Sequence, residues 1–142
     1  MQIKPVYFRM LIACLSGLIF WSSDAYSANW QALGELPESP KLGKIAYFVD
    51  LTSISIDGSI RSVWLKSVFS IPQPYGEDKT YTSMLSFANY NCAKKTYGVT
   101  RIDIFSADGE LVGSGKQDLK YVPIPEGGAD DKMYEFVCNY KK

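Results

Sequence analysis

Cysteine is the residue type here with the widest chemistry open to it. The chain has 142 residues and three cysteines, Cys14, Cys92 and Cys138. A thiol can be a nucleophile, a metal ligand or half of a disulfide, and its surroundings decide which. The chain contains no histidine. That removes Ser–His and Cys–His nucleophile pairs, the usual general base near neutral pH, and the commonest zinc ligand. A thiolate-only zinc site needs more cysteines than these. Cys92 and Cys138 are also far from the Cys-x-x-Cys spacing of redox pairs.

The remaining candidate constellations have simpler readings. Asp103, Asp108 and Glu110 resemble paired carboxylates or a calcium site, but Asp108-Gly109 serves turn geometry by itself, so a solvated turn is expected. Gly109, Gly113 and Gly115 lack the Lys-Ser/Thr that follows a phosphate loop. Lys94 and Lys95 read as a solvated inter-strand turn. Asp50, two residues before Thr52, reads as a side-chain cap. No residue is assigned a catalytic, cofactor-binding or metal-binding role, and the chain reads as a non-enzyme.

The amino terminus carries an export signature. Lys4 and Arg9 precede an apolar run at 10–21 (MLIACLSGLIFW), then Ser22-Ser23-Asp24 and the small residues Ala25 and Ser27. This is the order of a signal peptide, and the run is shorter than the roughly 20 residues of a membrane-spanning helix. Cleavage is expected between Ser27 and Ala28, giving a leader at 1–27 and one domain at 28–142. Leu11-Ile12-Ala13-Cys14 also resembles a bacterial lipobox, which would lipidate Cys14 instead. Either route exports the chain, to the periplasm or to the outer-membrane surface.

Loss of 1–27 takes Lys4 and Arg9 from the 15 basic residues and Asp24 from the 15 acidic ones, leaving one net negative charge. A polyanion binder would show a basic excess, so nucleic acid is not an expected partner. Export places Cys92 and Cys138 in an oxidising compartment, where one disulfide is the simplest state for two thiols.

The elements that must position that bond follow from periodicity. Residues 30–36 open the mature chain, and Pro37 and Pro40 place a loop at 38–43. Residues 44–50 (KIAYFVD) form a β-rich run. Asp57-Gly58 turns the chain into a long strand at 59–71, whose faces both carry apolar groups. A loop at 72–79 (PQPYGEDK) leads to strands at 80–92 and 96–105, with Asp108-Gly109 turning into 110–114 and a last short strand at 120–122. Met133, Phe136, Val137 and Tyr140 then recur at helical spacing within 128–142. Asp130 and Asp131 suit the first helical turn, and Lys141 and Lys142 the last. The expected class is α+β: an antiparallel meander of five or six strands, with a C-terminal helix on one face tethered by Cys92–Cys138.

The mature chain also resembles the surface-adhesin E family of small exported bacterial domains. The matching residues are Trp30; Tyr47-Phe48-Val49-Asp50 with Ser53-Ile54; Gly58; Val63-Trp64; and Tyr81. Further on are 91–97 (NCAKKTY), 108–112 (DGELV), 123–127 (PIPEG) and Phe136-Val137-Cys138. The resemblance implies the same disulfide-tethered sheet and helix. It also implies binding of host extracellular matrix or plasma proteins at the bacterial surface. The alternative from the residues is a periplasmic accessory domain, associating with itself as a homodimer or with another envelope protein through a sheet edge.

Overall fold

The computed structural model describes residues 27–142. The expected leader, save Ser27, and Cys14 lie outside the described residues. The described chain folds as strands β1 (Trp30–Ser39), β2 (Gly43–Asp50), β3 (Ser55–Asp57), β4 (Ile60–Tyr75), β5 (Lys79–Asn91), β6 (Thr96–Phe105), β7 (Leu111–Lys116) and β8 (Val122–Pro123), then helix α1 (Ala129–Asn139).

The sheet is an antiparallel meander in the order β1-β2-β4-β5-β6-β7. Two short strands extend it. β3 pairs with β4 at Ile60–Ser62, on the side where β2 pairs with it at Leu65–Phe69. The 3-10 turn Leu51–Ser53 separates β2 from β3. β8 likewise pairs with β6 at Thr96 and Tyr97, below the stretch that β7 occupies. The expected α+β meander with its helix and disulfide is therefore the observed fold.

Alternation along β4 and β5 divides the sheet into two faces. Val63, Leu65, Ala88 and Tyr90 point to one face and are buried. There they join Tyr47, Val49, Ile54, Ile124, Met133 and Val137 in one core. Trp64, Lys66, Leu85 and Phe87 alternate with them and lie on the face away from the helix. Among the described residues α1 and the segment before it cover the core face, so the core is built largely from strand side chains that a short helix closes.

Three expectations change. Pro37 does not end β1, which runs on to Ser39. β1 is an edge strand, and Pro37 falls in the register break between Leu36 and Ser39, where no ladder donor is required. The loop expected at 72–79 is mostly strand, because β4 continues to Tyr75 through Pro72 and Pro74. Beyond Phe69 the chain has left β2, and the Val68/Gln73 bulge takes up Pro72. Finally, α1 stops at Asn139, so Lys141 and Lys142 lie past its last turn, which holds no basic residue. Side-chain charge complements the helix dipole at the amino end alone, where Asp130 and Asp131 occupy the first turn.

Gly98 admits a close crossing. A β-carbon there would collide with the Lys120 carbonyl oxygen and lie 2.7 Å from Leu119 Cδ1. The segment joining β7 to β8 thus lies directly on the β6 backbone, which cannot move aside as a side-chain tip would. Gly98→Ala is expected to destabilise the fold by about 1–3 kcal/mol, the usual overpacking cost. Thermal denaturation checks this, and an unchanged Tm would show that the crossing is loose.

Candidate functional site

Two regions concentrate side-chain chemistry, and they lie on opposite faces of the sheet. The first is the turn from β5 to β6, which receives the helix. Cys92 bonds Cys138 with a Cα–Cα separation of 5.7 Å, closing a loop of 46 residues. The turn is pre-shaped by Asn91, whose Oδ1 accepts from the amides of Ala93 (3.2 Å) and Lys94 (3.1 Å). Lys95 then takes a left-handed conformation (φ 51°), uncommon outside glycine and its short polar relatives.

Lys95 is therefore not the free solvated residue its sequence context suggests. Its Nζ lies 3.0 Å from Asp131 Oδ1 and 5.8 Å from the centre of the Tyr134 ring. Asp131 Oδ2 accepts from the Gly127 amide at 2.8 Å, and this bond stands in for a side-chain cap that Gly128 cannot supply. Tyr134 Oη donates to the Cys92 carbonyl at 2.8 Å. Tyr97 Oη reaches Asp130 Oδ2 at 3.4 Å. Beneath them Tyr90 is 1% exposed and stacks on Tyr97. Burial pushes its hydroxyl pKa up, so it stays neutral. The whole node fixes α1 in place, and its chemistry is spent on structure.

The second region is the opposite face. Here aromatic rings alternate with cations across the strands. Lys66 Nζ lies 4.7 Å from the ring centre of Trp30 and 4.9 Å from that of Phe48. The Trp64 and Phe87 rings are 5.1 Å apart, and the Arg101 guanidinium sits 5.8 Å from Trp64. Trp64 is opposite Phe87, Phe87 opposite Arg101, and Arg101 opposite Lys116. With Thr100 and Gln117, these last residues line an open cleft of about 430 Å³.

Asp103 stands beside this cleft. Arg101 Nε donates to both its oxygens (3.2 and 3.1 Å), and Ser114 Oγ donates to Oδ1. Burial alone would raise its pKa, yet the Ser114 and Arg101 hydrogen bonds together hold it below the ordinary carboxylate value. Asp103 is thus a buried ion-pair partner, not part of the solvated turn where Asp108 and Glu110 lie exposed. Asp50 caps as expected: its Oδ1 accepts from the Asn29 amide, the Thr52 amide and the Thr52 hydroxyl. Of the residues on the aromatic–cationic face, the sequence had shown only that strand 59–71 was apolar on both sides.

A third feature is an apolar cleft of about 370 Å³ between the β4–β5 hairpin and β7, lined in part by Tyr75, Tyr81, Met84, Ile102 and Gly113. Tyr75 curls over Gly113, where a β-carbon would come within 2.7 Å of its hydroxyl. None of these regions brings together three or more metal-capable side chains among the described residues. No described helix is long and apolar enough to cross a membrane.

A curled antiparallel sheet with a disulfide-tethered terminal helix and an aromatic–cationic face defines a small domain built around surfaces rather than a deep cavity. The chain belongs to the surface-adhesin protein E family, whose pattern it matches over residues 30–139. It is also similar to a solved structure, protein E from non-typeable Haemophilus influenzae. The identity is 16%, the match covers 79% of this chain and 85% of that one, and the TM-score is 0.48. No curated protein matches.

Two outcomes test the helix node. Cys138→Ser is expected to cost up to about 4 kcal/mol from loop closure alone, visible as a large drop in Tm; an unchanged melting curve would deny the tether its role. The Asp131 carboxyl is held below its ordinary pKa, first by the Gly127 amide and then by Lys95. Its stabilisation is therefore complete above the ordinary aspartate value and is lost as pH falls through the lower folded value. Asp131→Asn is expected to lower Tm at neutral pH and to flatten the loss of stability below about pH 4. A variant with the same acid limb as the parent would place the acid sensitivity elsewhere.

Proposed function

We propose that this chain is an exported, non-enzymatic binding module of the bacterial cell surface that holds a protein partner. The single observation that carries the reading is the family membership over residues 30–139, in a family described as surface adhesins. Three features support it. The order of charged, apolar and small residues at 1–27 is that of an export signal, with cleavage before Ala28. The disulfide suits an oxidising compartment. The absence of histidine from the whole chain leaves no general base of the usual kind. The partner on this reading is a host matrix or plasma protein.

A second reading, a periplasmic accessory domain, is favoured by one observation. β7 is a free sheet edge whose first residue, Leu111, is 58% exposed, and such edges pair with other strands, including those of a second copy. Protease treatment of intact cells separates the two. On the adhesin reading the protein is degraded without lysis, and purified protein retains host matrix components. Survival in intact cells with degradation after lysis would overturn the adhesin reading. The same material fixes the mature terminus: mass spectrometry is expected to find Ala28 first, and a lipidated Cys14 would move it.

A further inference from the structure

We infer that the sheet face opposite the helix, from Lys66 across Trp64 and Phe87 to Arg101 and Lys116, docks an extended acidic segment of a partner protein. The inference rests on the binding-module reading and names the surface and the partner's chemistry. Among the described residues this face carries Lys66, Arg101 and Lys116, with the carboxylate of Asp103 beside Arg101 and that of Glu35 at the far edge on β1, in a chain with almost no net charge. Asp103 is committed to Arg101 Nε and to Ser114. Neither Lys66 nor Lys116 has an ion pair within the described residues, where the two pairs are Lys95–Asp131 and Arg101–Asp103.

Arg101 and Lys116 face each other directly across adjacent strands. Like charges in that position are unfavourable for a sheet, and within the fold Asp103, bonded to Arg101 and attracted by Lys116, offsets only part of that cost. An incoming carboxylate between them turns the repulsion into two attractions.

The aromatic rings set the cations rather than compete with them. Lys66 is held over Trp30 and Phe48, and Arg101 over Trp64, with its Nε clamped by Asp103. The guanidinium nitrogens beyond Nε remain available for a carboxylate, at reduced ordering cost because the side chain is already fixed. These ring faces are turned to cations, which disfavours sugar stacking and favours carboxylates. The distance from Phe48 on β2 to Lys116 on β7 spans four strand spacings, about 19 Å. An extended segment of about six residues covers it, with acidic side chains at alternate positions facing the sheet.

Tryptophan fluorescence of the full chain, expressed with its own leader, reads this directly through Trp30 and Trp64. The probes are an octapeptide alternating Glu and Leu, its Gln–Leu counterpart, and heparin. The Glu peptide is expected to bind in a salt-sensitive manner and the Gln peptide not to bind. Lys116→Gln and Lys66→Gln are each expected to weaken binding by roughly fivefold, with Tm unchanged for Lys116→Gln and lowered for Lys66→Gln, which uncovers the Trp30 and Phe48 rings. Binding of both peptides alike, binding untouched by either substitution, or binding of heparin in place of the Glu peptide would each overturn the proposal. Failure here is distinct from failure of the adhesin reading. A surface-exposed protein that holds matrix as well after Lys116→Gln keeps that reading and removes this site. A protease-protected protein that binds the Glu peptide does the reverse.

Discussion

The fold depends on closing one sheet face with a helix that is barely adequate for the task. α1 has eleven residues, and just two of its apolar side chains, Met133 and Val137, are buried. A helix this short is marginal alone, and so small an apolar stripe gives it limited hold on a sheet. The bond from Cys92 to Cys138 removes the problem by making the helix's detachment a local event rather than a loss of contact. Lys95–Asp131, Tyr134 to the Cys92 carbonyl and Tyr97–Asp130 then fix its rotation. Their common feature is origin: each sheet-side partner comes from the turn between β5 and β6 or the first residues after it. The turn thus works as a socket, and Asn91 and the left-handed Lys95 give it its shape.

Because one helix covers one face, the other face must be made stable in water. A row of bare aromatics would invite aggregation. Here the rings at its centre are matched with a cation or another ring: Lys66 over Trp30 and Phe48, Arg101 over Trp64, Trp64 against Phe87. The long cation stems cover apolar area while their charges stay in water. The result is half-buried but strongly featured, and that combination distinguishes the face from the polar outer side of an ordinary two-layer domain.

The sheet's curl has a local origin as well. β4 and β5 are the longest strands, and the Val68/Gln73 bulge bends their far ends toward β7. Tyr75 comes to rest over Gly113, where the missing side chain leaves it room. Prolines at 37, 72 and 74 sit in strands without breaking them because each falls at an edge or a bulge. Read from composition alone, the same prolines and glycines look like loop, which is why the 38–43 and 72–79 boundaries were misplaced.

Much was nevertheless legible. Alternation and Asp-Gly turns fixed the meander, helical spacing at Met133, Phe136 and Val137 located α1, and the thiol count paired Cys92 with Cys138. These are local patterns or simple elimination, and they need no coordinates. The sequence also carried the family, through residues such as Trp30, Trp64 and 91–97 spread along the chain. It did not reveal that Lys95 grips Asp131, that Asp103 is buried on an ion pair, or that Lys66, Arg101 and Lys116 share a face with four rings. Those residues lie dozens of positions apart, and only strand register brings them together. Register is set by the packing of the whole sheet, and a shift of one residue would send every one of these side chains to the other side.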